Sequence, residues 1–177
     1  MKKIIVISGV PGAGKSTLAK ELYTFLRRQG KNILIIENDV IRKMITGTED
    51  STVNSTYACT QAVFIRDSIK LLKMSMVEGI FLNNRTDVLI LDAVHQDKGM
   101  YQFLENLAKR YSIQLVTVHI NVDHETALSR VQNRVRTEDL QTIQSAQHDL
   151  DRLDISYNYS IDDGIVSPHH VEAIISI

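Results

Sequence analysis

Apolar residues along the chain gather into five short runs, and between the runs they recur at every third or fourth position. The runs are IIVIS (4–8), ILIIE (33–37), VLILD (88–92), LVTVHI (115–120) and YNYSI (157–161). Runs of this kind, rich in Ile and Val, suit parallel strands buried on both faces. The intervening segments carry helical stripes. Leu18, Leu22, Phe25 and Leu26 form the first, which Gly30 is expected to stop. Ile65, Ile69, Leu72 and Met76 form the second, with its end expected at Gly79. Phe103, Leu104, Leu107 and Tyr111 form the third. Leu140, Ile143, Leu150 and Leu153 form the fourth, with Thr137 as its expected N-cap and Glu138 and Asp139 in its first turn. Met44, Met74 and Met76 fall at helical spacing and read as core fillers. The two prolines, Pro11 and Pro168, both sit at expected loop positions, and no repeat or linker interrupts the alternation. Strand and helix alternating in this way predict an α/β sandwich on a parallel sheet.

With 177 residues, one domain spanning 1–177 is the simplest expectation. The 20 Lys and Arg against 21 Asp and Glu give a net charge of −1, without the basic surplus of a broad nucleic-acid footprint. A nucleic-acid partner is thereby disfavoured, although a local basic channel fits the same counts. The single cysteine, Cys59, cannot form an internal disulfide or a Cys-rich zinc site, and reads as a small core residue. The start, MKKIIVISG, has too short an apolar run for a signal peptide, and no apolar stretch approaches bilayer length. The expectation is a soluble, cytoplasmic protein with no membrane partner; its oligomeric state is not legible.

Residues 9–16, GVPGAGKS, fit G-x-x-x-x-G-K-[ST] in full, between an expected strand and an expected helix. Chance would supply such a match only about once in a few hundred chains of this length. Gly9, Gly12 and Gly14 let the backbone approach a ligand closely, and the amides then converge on anionic oxygens at a helix N-terminus. Lys15 is expected to reach the β- and γ-phosphates from open space, and the Ser16 hydroxyl suits Mg²⁺. With Ala13 and Thr17 these residues make the expected ATP-phosphate site, with Mg²⁺ as cofactor.

The run ISGVPGAGKSTLAKEL resembles the phosphate loop of small P-loop kinases, a group that includes adenylate, shikimate and dephospho-CoA kinases. The resemblance implies a three-layer P-loop kinase fold: a five-stranded parallel sheet with the phosphate strand central.

Asp39 and Arg42 follow the second apolar run three residues apart, as neighbours on one helix face. A parallel sheet binds ligands at the carboxyl ends of its strands, which puts both on the edge of the phosphate loop. A hydroxyl acceptor benefits from a carboxylate that takes its proton, whereas a phosphate acceptor needs none. Asp39 is therefore the expected base and Arg42 the expected grip on an anionic group of the acceptor. The alternative has Asn38-Asp39 capping a helix, with Arg42 solvated. The pair resembles the Asp-x-x-Arg of polynucleotide 5′-kinases, zeta-type toxins and adenylylsulfate kinases. In the first two families this implies a base at Asp39, and in the third substrate binding by both residues.

Asp92 ends the run VLILD, as in a Walker B element, where it would hold Mg²⁺ or contact the acceptor. The segment resembles the V-I-L-D-A-[TS] of the polynucleotide-kinase-like and zeta-like families. His95 reads as a loop histidine. RVQNRVR (130–136) puts Arg130 and Arg134 one turn apart, and it resembles the Arg-x-x-x-Arg lid of polynucleotide and dephospho-CoA kinases. A solvated charged face is the plain alternative. The resemblance implies a short lid around 130–138, with Arg134 on the transition state and Arg130 on ATP or anchoring the lid. DDG (162–164) occupies the place where such kinases contact adenine. His169-His170, lacking a third ligand, makes a poor metal site.

The expected function is ATP- and Mg²⁺-dependent transfer of the γ-phosphoryl group to a hydroxyl of a small-molecule or nucleotide-like acceptor. The alternatives are a nucleotide or dephospho-CoA-like kinase, and a non-catalytic ATP-binding regulatory module. Residues 46–60 fit no acceptor-binding pattern, and the acceptor's identity is not written in the sequence.

Overall fold

The computed structural model describes residues 2–47, 59–83, 85–92, 97–132 and 140–177. Five parallel strands form one sheet: β1 (Lys3–Ser8), β2 (Ile33–Glu37), β3 (Val88–Asp92), β4 (Gln114–Ile120) and β5 (Tyr159–Ile161), in the order β2-β3-β1-β4-β5. β1, which leads into the phosphate loop, is the central strand. Seven helices are found among the described residues: α1 (Lys15–Arg28), α2 (Asn38–Thr46), α3 (Cys59–Leu82), α4 (Lys98–Tyr111), α5 (His124–Gln132), α6 (Leu140–Asp151) and α7 (Pro168–Ser176).

Side chains alternate across the sheet and so build two cores. Ile5, Ile7, Ile90, Val116 and Val118 pack with Leu18 and Leu22 of α1, Ile143 and Leu150 of α6, and Val171 and Ile174 of α7. Ile4, Val6, Leu89 and Leu91 pack on the other face with Ile41 of α2, Val77 and Phe81 of α3, and Leu104 and Leu107 of α4. Helices on both faces complete the three layers expected from the runs. Each fully buried Leu or Ile contributes roughly 1.5–3 kcal/mol, which explains why the strand runs are apolar without alternation.

Four expectations are corrected. β5 spans Tyr159–Ile161 rather than 157–161, because the Asn158 side chain takes over the ladder: its Oδ1 accepts from the Thr117 amide at 2.8 Å and hydroxyl at 3.0 Å. The second helix does not stop at Gly79 but continues to Leu82, since burying Phe81 outweighs the roughly 1 kcal/mol a helical glycine costs. Its buried line is also rotated from the expected stripe. Lys73, Val77 and Phe81 face inward while Leu72 and Met76 are exposed, and Met44 of α2 is 73% exposed rather than core. His170 proves structural: its Nδ1 accepts from the Ser167 amide at 3.2 Å and closes a capping box at the start of α7.

The buried line brings in a lysine. Lys73 is 4% exposed, and desolvation lowers its pKa to about 8, against the opposing pull of Asp97 and Asp92. The unfolded chain holds that proton up to the ordinary value of 10.5, so between about pH 8 and 10.5 it binds more protons than the folded state. Stability therefore rises with pH across that window. Lys3, also lowered by burial, acts in the same sense. Urea midpoints measured from pH 7 to 10 are expected to climb for the wild type and to flatten for Lys73→Met; parallel curves would contradict the assignment.

Candidate active site

The loop leaving β1 turns to α1 on one face of the sheet, whereas the chain leaving β3 goes to α4 on the other. A crevice therefore opens between the carboxyl ends of β1 and β3, where open α/β sheets bind ligands. Ile7 of β1 and Glu37 of β2 both stand in register with Asp92, so the three strands end level.

The phosphate loop is built against its neighbours. Gly12 has φ 81°, and a Cβ on it would lie 2.4 Å from the Ala127 carbonyl oxygen of α5. A Cβ on Gly9 would come within 2.7 Å of the Ile120 carbonyl at the end of β4. These glycines thus allow the loop to seat beside α5 and β4 as well as near a ligand. Ala13 is fully buried, Gly14 is the N-cap of α1, and Thr17 is exposed on its first turn. Lys15 departs from the expectation of open space. It is 8% exposed, and its ammonium donates to the Val10 carbonyl at 2.9 Å within the loop itself.

Ser16 and Asp92 are brought together across 76 residues, with the Ser16 hydroxyl donating to Asp92 Oδ2 at 2.6 Å. A hydroxyl and a carboxylate side by side are the hard oxygen donors that Mg²⁺ takes when substrate phosphates and water fill its other positions. No cluster of three or more His, Cys, Asp or Glu that could hold a metal is found among the described residues. The donor set thus fits a magnesium ion shared with a nucleotide better than a dedicated metal cage.

Asp39 and Arg42 lie just past the end of β2 on the same edge, with Arg42 Nη1 donating to Asp39 Oδ1 at 3.3 Å. The capping alternative is not what is found. The N-cap of α2 is Glu37, with no side-chain capping bond, and Asp39 lies inside the first turn. Arg130 of α5 donates to the Gly164 carbonyl at 3.1 Å and to the Gly12 carbonyl at 3.5 Å, so it ties the loop 162–164 to the phosphate loop. Arg134 and His95 lie outside the described residues, as do Thr137, Glu138 and Asp139 and most of 46–60; of Cys59 only the helical backbone is described.

Two groupings escaped sequence reading. Lys70 of α3 pairs with Asp97 at 2.8 Å, and Asp97 also caps α4 by accepting from the Met100 amide. Buried Lys73 lies one turn further along the same helix. Under the phosphate loop, Ser8 and Tyr101 share a buried hydrogen bond at 2.9 Å, and His119 stacks on Tyr157 with ring centroids 4.7 Å apart. The Tyr157 hydroxyl approaches both Ser8 and Tyr101 but is in hydrogen-bonding geometry with neither. Burial lowers the His119 pKa first; Asp151 and Asp162 oppose that shift and Lys15 adds to it. No local motif announces either grouping.

A family model described as an AAA domain matches residues 4–153. The chain belongs to this AAA domain family. Among curated proteins, the KTI12 homolog of Rattus norvegicus is 28% identical over 116 residues, covering 66% of this AAA domain chain and 30% of the relative. The tyrosine-protein kinase YwqD of Bacillus subtilis is 32% identical over 91 residues, 51% of this chain and 35% of the relative. The cytosolic Fe-S cluster assembly factor NUBP2 of Rattus norvegicus is 28% identical over 108 residues, 59% of this chain and 39% of the relative. The chain thus spans about a third of the length of these curated relatives. Among solved structures, shikimate kinase from Acinetobacter baumannii in complex with shikimate has a TM-score of 0.63 at 15% identity, covering 99% of this chain and 90% of that one. Shikimate kinase from Bacteroides thetaiotaomicron has a TM-score of 0.62 at 16% identity, covering 98% and 94%. These likenesses give the AAA domain chain a P-loop kinase fold. No helix among the described residues is long and apolar enough to cross a membrane.

Proposed function

We propose that the chain is an ATP- and Mg²⁺-dependent kinase that transfers the γ-phosphoryl group to a hydroxyl of a small-molecule or nucleotide-like acceptor. It acts as one cytoplasmic domain with a short lid around 130–138. The observation that carries the reading is the Asp39–Arg42 pair, which does not cap its helix and shares a sheet edge with Ser16 and Asp92.

The loop 9–17 cradles the nucleotide phosphates through its amides and Lys15. Ser16 and Asp92 would hold the magnesium ion, which would supply neutralisation of the phosphate charge. Arg42 grips an anionic group on the acceptor and keeps it beside Asp39. The acceptor oxygen attacks the γ-phosphorus while the bond from that phosphorus to the β–γ bridging oxygen breaks. The electron pair of that bond leaves on ADP, and the hydroxyl proton passes to the Asp39 carboxylate and then to water. Arg130 holds the lid to the phosphate loop, and Arg134 meets the charge that builds in transfer.

The relatives described as cluster assembly factors supply the rival, an ATP-binding module that assembles another protein's cargo without transfer. Such a module needs no carboxylate on the acceptor side, and these 177 residues hold one cysteine where clusters are usually gripped by several.

Lys15→Ala tests the nucleotide site. Titration calorimetry with Mg·ATP is expected to show binding weakened at least ~10-fold, the scale of a lost charge-assisted contact, in a chain that still folds but melts a few degrees lower because the Val10 carbonyl loses its donor. Unchanged ATP affinity in this variant would remove the site from the loop.

A further inference from the structure

The sheet has a second open edge, at the amino ends of its strands. Lys3, Val88 and Gln114 are the first residues of β1, β3 and β4 and stand in register there. Two helices end beside them: Leu26 lies in the last turn of α1 and Ile175 in the last turn of α7. These five residues line a cavity of about 260 Å³ that Lys31 also borders. The six residues of β1 separate it from the phosphate loop, a span of roughly 20 Å at ~3.3 Å per residue. It is therefore no part of the nucleotide crevice.

Its rim is basic and its floor apolar. Lys3 Nζ donates to the Ile175 carbonyl at 2.7 Å, which uses one of the three donors of an ammonium. Burial lowers the pKa of Lys3, and no carboxylate acts against the shift. Neither Lys3 nor Lys31 forms an ion pair among the described residues. Asp87, the acid just before β3, is engaged elsewhere, its Oδ2 accepting from the Asn32 amide at 2.8 Å. The helix ends do not reverse the sign, because their carbonyls are occupied. Lys3 and the Gln114 side-chain amide hold those of Ile175 and Ile177, and the amides of Gln29, Gly30 and Lys31 close on those of Leu26 and Arg27. A partly buried charge is destabilising until a counter-charge meets it, and an anion entering here supplies one.

We propose that this cavity is a binding site for a small apolar monocarboxylate, its head held between Lys3 and Lys31 and its body resting on Leu26, Val88 and Ile175. Size sets the body. A cavity of roughly 150 Å³ takes benzene, and pockets for drug-sized ligands begin at about 300 Å³. One ring or a short branched chain fits between those limits, and a nucleotide does not. The floor also disfavours inorganic anions and sugar phosphates, whose polar groups would be buried there without partners. The site stands apart from the proposed transfer, since it lies at the other edge of the sheet.

The test is a nitrogen-15 NMR titration of the whole chain with benzoate, beside benzamide, acetate and inorganic phosphate. Benzoate is expected to saturate with a Kd of about 1 mM or tighter, moving the amides of Lys3, Lys31 and Gln114 and leaving those of residues 9–17 in place. Benzamide keeps the ring without the charge, and acetate the charge without the ring. Each is expected to bind at least ~10-fold more weakly. Saturating Mg·ATP is expected not to displace benzoate. Lys3→Met should weaken benzoate binding at least ~10-fold, and Lys3→Arg should restore it. Lys31→Gln, an exposed change that leaves the bond from Lys3 to Ile175 intact, should weaken it ~3-fold and keeps the test open if Lys3→Met fails to fold. Binding of benzamide, acetate or phosphate as tight as that of benzoate overturns the inference. So does binding indifferent to both lysine changes, displacement by Mg·ATP, or no shift at ~10 mM benzoate. None of these outcomes touches the ATP site.

Discussion

Arg134→Ala is expected to lower kcat by ~10³-fold while leaving ATP affinity near the wild-type value, the scale on which arginines act in phosphoryl transfer. The reason is one of timing. Charge gathers on the equatorial and bridging oxygens only as the β–γ bond loosens, so a guanidinium aimed at them binds the transition state better than the ground state. Such a contact, once lost, lowers kcat and kcat/KM together. Arg130, four residues earlier in the sequence, should behave differently. It already donates to the Gly12 and Gly164 carbonyls, so Arg130→Ala is expected to release the tie between the loop 162–164 and the phosphate loop and to raise the KM for ATP. Steady-state kinetics on the two variants separate the roles. A normal kcat with only a raised KM in Arg134→Ala would take that arginine out of the transition state.

Asp39→Asn is expected to keep ATP affinity and stability while losing transfer by at least ~10²-fold, the ordinary worth of a general base. Asparagine matches aspartate in shape and keeps an oxygen toward Arg42, but it does not take up the acceptor's proton. The 3.3 Å bond to Arg42 means that the companion variant Arg42→Ala also frees Asp39, so it should raise the acceptor KM and lower kcat more modestly. Because Glu37 and not Asp39 is the N-cap of α2, the substitution takes away no cap. Full activity in Asp39→Asn would remove the base, and with it the main reason for preferring a hydroxyl acceptor over a phosphate.

The parts of this site that are legible in the sequence are those encoded by neighbours in the chain. GVPGAGKS spells out its loop in eight consecutive residues, and Asp92 ends a strand whose five residues are all buried. Asp39 follows a strand directly, so its sheet edge could be inferred without knowing the sheet order. What was not legible depends on partners far away or on a face without a single apolar stripe. Ser8 and Tyr101 meet across 93 residues. Helix α3 carries apolar residues on every side, with Phe64 and Leu71 exposed and Val77 and Phe81 buried, so its periodicity points nowhere in particular and hides Lys73 on the inner line. Lys15 was misplaced for a related reason. The carbonyl that holds it belongs to Val10 in its own loop, and only the folded loop brings the two together.

Phosphorus NMR of the chain with Mg·ATP and a mixture of hydroxylated metabolites, nucleosides and nucleotides follows the transfer itself. A new phosphomonoester resonance is expected to grow in step with ADP, to be lost in Lys15→Ala and to be slowed at least ~10²-fold in Asp39→Asn. Inorganic phosphate appearing in place of the ester, at a rate indifferent to Asp39→Asn, would contradict the proposed transfer and make the chain a nucleotide hydrolase or switch.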